Sequence, residues 1–227
     1  MVRGTILLAS GLSFAASALP CAAQVAADEQ LWVNATVLGG VDRFAHFAEV
    51  QPRFDQGISR LGQLVLRPAI GWKLGDRLAI YQGYAHVETS PPGARAFSED
   101  RSFQQVSWEV GRFMGVNVSS RTRFEQRWQS NGRDAGFRMR ELLRASYPLT
   151  ESGGGISALG WVETFVALND TDWGARAGLD RVRTFVGLEI PVAGKSTIEI
   201  GYMNQTVNAR ARVETHHIVS LGLFYRH

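Results

Sequence analysis

The chain has 227 residues, of which 45% are hydrophobic and 20% are charged, and its formal net charge is +3. This length and composition suit a folded domain rather than a disordered chain, and the near balance of charge gives no reason to expect nucleic acid as a partner. The single cysteine, Cys21, excludes a disulfide framework and a cysteine-based metal centre, and no cofactor is expected.

Residues 1–27 have the pattern of a secretory signal peptide. Arg3 precedes an uncharged run that extends to Ala27, and small residues allow cleavage after Ala23 or after Ala27. An uncleaved membrane anchor is the alternative. We therefore expect an exported protein whose single domain, residues 28–227, contains no cysteine, as suits an oxidising compartment.

From residue 31 onward, apolar and polar residues alternate with the period of two that is typical of β-strands. Between Val116 and Trp128 the even positions are mostly apolar, whereas the odd positions carry a row of charges. Most of the segments have ten or more residues, which exceeds the average strand of about 5–6 and suffices for the ~9–11 residues of a tilted membrane-spanning strand. The predicted strands, in chain order, are the weaker Leu31–Gly39 and then Arg43–Phe54, Leu61–Trp72, Arg77–Glu88, Glu99–Val110, Val116–Trp128, Phe137–Tyr147, Ser157–Leu168, Arg181–Ile190, Thr197–Thr206 and Thr215–Arg226.

The connections between these strands alternate between short turns and longer polar loops, as in bacterial outer-membrane barrels. Trp72, Trp108 and Tyr147 lie beside short turns, while Trp128 and Phe137 flank a polar loop, which predicts two aromatic girdles. The sequence thus predicts an all-β fold, a transmembrane antiparallel up-and-down β-barrel of 10–12 strands, located in the bacterial outer membrane and surrounded by its lipid. A soluble β-sandwich and a lipocalin-like barrel are the alternatives.

Two features do not fit this prediction easily. Eleven segments show the pattern, whereas bacterial single-chain barrels have even strand numbers. With the C-terminus in the periplasm, Leu31–Gly39 would begin on the outer side, so we expect either ten strands without it or twelve with one not identified. Glu141 falls on the predicted lipid face, where charge is costly at mid-bilayer, and is expected at a bulge or near an interface.

A series of short fragments extends over about residues 30–227. These fragments are Glu49–Arg53, Leu66–Pro68, Gly83–Ala85, Glu99–Arg101 with Gln104 and Gln105, Arg121–Arg127, Arg138–Arg140, Glu163–Phe165, Asp180–Arg183 and Gly201–Gln205. Together they resemble the bacterial domain-of-unknown-function 2490 family. The resemblance implies an outer-membrane barrel of unassigned activity and adds no reaction.

The last eight residues, Ser220 to His227, also resemble the signal read by the barrel-assembly machinery, with His227 where Phe is usual, and imply that machinery as a partner.

The polar faces of the predicted strands would line the lumen. All but two of the 24 basic residues are arginine, whose planar guanidinium pairs with carboxylates through two parallel hydrogen bonds. We expect a structural barrel plugged by ion pairs; the alternative is a narrow anion-preferring pore, or a barrel that binds or transports a small anionic solute. The candidate residues are Glu49, Arg53, Arg67, Glu99, Arg101, Arg121, Arg123, Glu125, Arg127, Arg138, Arg140, Glu163, Arg183, Glu199 and Gln205.

A lipid-modifying enzyme, such as a lipid A acyl hydrolase or transferase, is the third class considered. Such enzymes need a nucleophile beside a general base. His86 is the one attractive candidate for the base. The alternation along its strand, that is, the parity of its residue number, is expected to place it on the lumen face with Tyr84 and Glu88, but no sequence motif links a serine to it. We therefore expect no enzymatic activity, no catalytic residues and no metal site.

Overall fold

A computed structural model describes residues 28–150, 155–208 and 213–227, so the predicted signal peptide lies outside the described residues. Within them, no helix is long and apolar enough to cross a membrane. The described residues form eleven strands: β1 (Asp28–Gly39), β2 (Phe44–Asp55), β3 (Arg60–Lys73), β4 (Leu78–Thr89), β5 (Phe97–Phe113), β6 (Val116–Gln129), β7 (Gly136–Pro148), β8 (Ser157–Ala167), β9 (Gly178–Pro191), β10 (Thr197–Asn208) and β11 (Val213–Arg226).

The strands close into one barrel in which each strand pairs with its neighbours in sequence and β1 pairs with β11. All consecutive pairs are antiparallel, but β1 and β11 run parallel, with Val33 opposite Leu221 and Val37 opposite Tyr225. The expected all-β barrel of 10–12 strands is confirmed for the described residues, which form eleven, whereas the narrower expectation of an even number of strands, all antiparallel, is wrong. The weak segment Leu31–Gly39 is part of the full strand β1. Because neighbouring strands alternate in direction, the first and the eleventh strand point the same way, and the barrel closes by pairing them in parallel.

Alternation along each strand divides the barrel into an inner and an outer surface. In β6, for example, Arg123 and Glu125 are buried in the interior, whereas Trp128 is exposed on the outside. The outer wall displays large apolar side chains, including Ile70 and Val186. This arrangement places the polar residues of most strands where the alternation predicts them, and β4 is an exception.

Glu141 lies on the outer wall, as its parity predicts, although the described pairings of β7 show no bulge there. The Ser120 hydroxyl donates a hydrogen bond to its Oε1 at 2.6 Å, and the Thr122 hydroxyl donates to its Oε2 at 2.5 Å. Two hydroxyls of β6 thus compensate a carboxylate on an otherwise mostly apolar surface.

The two ends of the barrel differ. The turn end carries the connections 40–43, 74–77, 114–115 and 192–196 together with the ends of β7 and β11. The loop end carries the connections 56–59, 90–96, 130–135 and 168–177 together with the start of β1 and the end of β10. The tightest connection is Met114–Gly115, where both φ angles are positive, as a type I′ hairpin requires.

Apolar side chains also fill part of the interior, which the sequence analysis does not anticipate. One buried cluster joins Trp32, Leu159, Phe185, Met203 and Ile218. A second cluster joins Phe47, Ala69 and Phe103. The lumen is therefore a mixed core of aromatic residues and ion pairs, not a purely polar one.

Candidate functional site

The interior of the barrel holds a lattice of ion pairs centred on Glu125, a residue of β6 that is 1% exposed. Arg138 donates to its Oε2 through Nη2 at 2.6 Å and through Nε at 3.0 Å, and Arg140 donates to its Oε1 at 2.6 Å. Arg123 Nη1 lies 3.8 Å from the same carboxylate and has no hydrogen-bond partner among the described residues. One buried carboxylate thus faces three guanidinium groups.

Glu163 of β8 forms the second node of the lattice. Its Oε1 accepts hydrogen bonds from Arg140 Nη2 at 2.6 Å and from Arg121 Nη2 at 2.8 Å. Arg183 Nη1 lies 3.7 Å from the other carboxylate oxygen. Because Arg140 bridges Glu125 and Glu163, the neighbouring strands β6, β7 and β8 are tied together on the inner face of the barrel.

Three further groups extend these ion pairs toward both ends. Toward the loop end, Glu99 accepts from Arg127 at 2.6 Å and from Arg101 at 2.7 Å. In β2 and β3, Arg67 donates to Glu49. Toward the turn end, the guanidinium of Arg144 lies between the carboxylates of Glu189 and Glu199.

Aromatic rings hold several of these arginines, a role that the sequence analysis misses. Phe165 lies beneath four guanidinium groups, with those of Arg140 and Arg183 centred 4.5 and 4.7 Å from the ring centroid. The guanidinium carbons of Arg53 and Arg183 lie over the indole of Trp32, at 3.8 and 4.8 Å from the ring centroid. The inward position of Phe165 could have been predicted, because it lies two residues after Glu163 and therefore on the same face of the strand. Trp32 was harder to place, because it lies in the strand with the weakest alternation.

Two chambers approach the middle of the barrel from opposite ends. The inner chamber, of about 170 Å³, opens toward the loops. The turn-side chamber, of about 340 Å³, opens toward the short turns. Both chambers are lined by the same four arginines, which we call the septum: Arg53, Arg67, Arg140 and Arg183.

All the predicted lumen residues face the interior. Most join the ion pairs described above, whereas Arg53 and Gln205 make different contacts. Arg53 donates to the side-chain oxygens of Gln51 and Gln63, and Arg183 Nε donates to Gln205 Oε1 at 2.8 Å. Gln205 therefore positions an arginine rather than pairing with a charge.

The expected place of His86 is wrong. His86, Tyr84 and Glu88 lie on the outer wall, because the inward side chains of β4 are the odd-numbered ones, which include the buried Ala85 and Val87. His86 Nδ1 lies 2.7 Å from Asp100 Oδ1, and its Nε2 lies 2.8 Å from Glu88 Oε1. The assignment failed because the inward face of β4 consists of small and apolar residues, so polarity marks the opposite face.

The longest connection of the loop end docks on its neighbour through Asp172. The backbone N–H groups of Arg133 and Asp134 donate to this carboxylate at distances of 2.9 to 3.2 Å. These hydrogen bonds hold the pKa of the Asp172 carboxyl below its ordinary value. Trp173 Nε1 also donates to the carbonyl of Asp134 at 2.8 Å, so the loop covers the adjacent turn.

No group of three or more His, Cys, Asp or Glu side chains is arranged to hold a metal ion in the described ranges. The chemistry that the interior offers is therefore that of fixed guanidinium and carboxylate charges held against aromatic rings.

Comparison with known proteins agrees with the resemblance seen in the sequence. A family model described as a protein of unknown function (DUF2490) matches residues 29–216. An uncharacterized protein of Methylorubrum extorquens is 57% identical over the full length of both chains. No solved structure matches the chain. The chain therefore belongs to the DUF2490 family of proteins of unknown function.

Proposed function

We propose that the protein is an outer-membrane β-barrel whose lumen is closed across its middle by arginine–glutamate ion pairs, so that it acts as a structural barrel rather than an open pore. The observation that carries this proposal is that the four septum arginines, from β2, β3, β7 and β9, line both chambers, and that one of them, Arg140, pairs with Glu125 and Glu163. Buried charges are tolerated where they are paired and hydrogen-bonded, and such pairs resist separation.

The outer wall supports the membrane location. Its strands have 11 to 17 residues, enough to cross a bilayer at a tilt. Exposed Trp72, Trp108 and Tyr147 lie toward the turn end, while exposed Trp128 and Phe137 lie toward the loop end. An apolar band between two aromatic rims is the pattern of outer-membrane barrels. Residues 1–27 would supply the export signal.

The C-terminal strand supports assembly by the barrel-assembly machinery. The His227 ring lies 6.1 Å from that of Tyr225 and 5.3 Å from that of His46, centroid to centroid. A flat ring thus occupies the terminal position of the signal, although it is not the usual Phe.

Membrane location is tested by fractionation of cells that produce the full chain. We expect the protein in the outer-membrane fraction, resistant to a high-salt wash, and migrating differently on a gel with and without boiling. Release by salt alone would refute the membrane assignment.

Closure is tested by recording from the refolded barrel in a planar lipid bilayer. We expect no steady conductance from the wild-type protein, since the septum separates the chambers. Regular unitary steps in the wild type would overturn closure and favour the second candidate, a narrow anion-preferring passage. The observation that favours this candidate is that the four septum residues are all cationic.

We propose no enzymatic activity. In the part of the chain that the structure describes, the ring nitrogens of His86 form hydrogen bonds with two carboxylates and with no serine or cysteine side chain. Mass spectrometry of lipid A from cells with and without the gene tests this, and an altered acyl pattern would contradict it.

A further inference from the structure

The inner chamber is strongly cationic for its size. It has a volume of about 170 Å³, whereas one water needs only about 10–15 Å³ of such volume. Among its described lining residues, Glu99 is the single carboxylate. The arginines that line it are Arg53, Arg67, Arg101, Arg127, Arg138, Arg140, Arg181 and Arg183.

Ion pairs compensate most of these arginines, but two are exceptions. Arg67, Arg101, Arg127, Arg138, Arg140 and Arg181 each lie within 3.2 Å of a carboxylate oxygen. Arg53 forms no ion pair within the described ranges, and the ion pair of Arg183 with Glu163 is long, at 3.7 Å. The positive charge that the protein leaves available is therefore concentrated on these two septum residues.

Both residues are nevertheless held in place. Their guanidinium groups lie within 5 Å of the same ring, the indole of Trp32. Amide oxygens fix them further, since Gln51 and Gln63 accept from Arg53 and Gln205 accepts from Arg183. Neutral partners orient a cation without cancelling its charge, so the two guanidinium groups are preorganised for an anion.

Donor capacity also remains. A guanidinium has five N–H groups, and within the described residues Arg183 uses only its Nε–H in a hydrogen bond. Arg67, which lines the same chamber and is 5% exposed, has a buried Nε without a partner in the described part of the chain. Such unmet donors are costly unless an acceptor reaches them.

We propose that the inner chamber contains a binding site for a small oxyanion, such as phosphate or a phosphate monoester, held by Arg53 and Arg183, the two arginines that are stacked over Trp32. Planar guanidinium groups match the geometry of oxyanions by donating paired hydrogen bonds. The ligand enters from the loop end, where a second cavity of about 300 Å³ shares Arg127, Gln129 and Arg181 with the chamber. This site goes beyond the proposed function, since it requires only the folded barrel.

The test is calorimetric titration of the barrel, refolded in an uncharged detergent, with inorganic phosphate and with glycerol 3-phosphate at constant ionic strength. We expect saturable binding of at least one of them, and no heat from chloride beyond dilution. Tighter binding of inorganic phosphate indicates a free ion as the ligand, and tighter binding of glycerol 3-phosphate indicates the phosphate group of a larger solute. Absence of binding by both would overturn the proposal.

Variants of Arg53 and Arg183 test whether these two residues hold the anion. Arg53→Gln and Arg183→Gln should each weaken binding roughly tenfold to a hundredfold, the loss expected for one charge-assisted hydrogen-bonding group. Arg183→Lys keeps the positive charge but not the planar, forked array of N–H donors, so it should lower the binding affinity less than Arg183→Gln does. Arg112→Gln, which removes the same charge at an exposed position near the turn end, should bind like the wild type.

Folding of each variant is checked by its heat-dependent migration before titration. Equal weakening by Arg112→Gln and Arg183→Gln would show a general charge effect and refute the site. Because binding is measured in detergent, its failure is distinct from a failure of membrane location or of lumen closure.

Discussion

Glu125 contributes more to the lattice than a single ion pair would. Its two oxygens accept from Arg138 and Arg140, and Arg123 lies 3.8 Å away, so its loss would leave several buried guanidinium groups without compensation. Removing one partner of a buried pair costs more than the pair contributes, because the remaining charge stays desolvated.

We therefore predict that Glu125→Gln lowers the free energy of unfolding by about 3–5 kcal/mol, measured by denaturant titration of the barrel in lipid vesicles. Glu88→Gln is the matched control, since Glu88 is exposed on the outer wall and contacts His86; its effect should stay within about 0.5 kcal/mol. Similar losses for the two variants would show that the lattice does not stabilise the barrel.

The same residues show what the sequence reveals about the site. Parity places Glu125, Arg138 and Arg140 in the lumen, because charged residues alternate there with apolar ones. Parity cannot predict which guanidinium pairs with which carboxylate, since that depends on register between strands and on side-chain reach. It also leaves Trp32 unassigned, because that residue lies in the strand with the weakest alternation and an aromatic residue suits either face of a strand.

At the scale of the element, β1 is the strand that the sequence describes least well. Its inward side chains include the apolar Trp32 and Leu38 beside Asn34 and Thr36, so the contrast between its two faces is weaker than in the strands with charged inner faces. The other ten strands are long and clearly periodic, and the sequence locates them to within a few residues. Parallel closure follows once all eleven segments are strands, because antiparallel neighbours alternate in direction, but the even strand number usual for bacterial barrels excluded it.

The parallel seam is testable by cross-linking, since residues 28–227 contain no cysteine. Val33 and Leu221 face each other across the seam, as do Val37 and Tyr225. We predict that cysteines introduced at either pair form a disulfide, because the Cα atoms of adjacent strands are close enough for one. The readout is a change in migration on a non-reducing gel.

The exchanged pairs are the control for this experiment. An antiparallel seam centred on the same residues would bring Val33 near Tyr225 and Val37 near Leu221, whereas the parallel register keeps the members of each exchanged pair apart. Efficient cross-linking of the exchanged pairs, with none in the paired positions, would disprove the parallel closure. The absence of all four cross-links would indicate that β1 does not close the barrel.

At the scale of the whole molecule, the barrel is divided by the septum into two compartments of different chemistry. The inner chamber is dominated by arginine, whereas the turn-side chamber also carries Glu49, Glu109, Glu163 and Glu199 among its lining residues. An anion that enters from the loop end therefore meets increasing positive charge and then a barrier. Such a field concentrates anions on one side without passing them.

Removing part of the septum should join the two compartments. Arg53 and Arg183 are suited to this test, since Arg53 has no ion pair within the described residues and Glu163 keeps Arg140 and Arg121 when Arg183 is removed. We predict that the double variant Arg53→Ala with Arg183→Ala shows unitary conductance in planar bilayers where the wild type shows none. The residual arginines should make the open lumen prefer anions, read from the reversal potential in a salt gradient.

Arg121→Ala is the control for this variant. Arg121 lines the turn-side chamber but not the inner one, so its removal widens one compartment and leaves the septum intact. Conductance from Arg121→Ala equal to that of the double variant would place the barrier elsewhere in the lumen. A double variant that folds but stays silent would show that Arg53 and Arg183 are not needed for closure and that the remaining side chains of the lumen close the barrel by themselves.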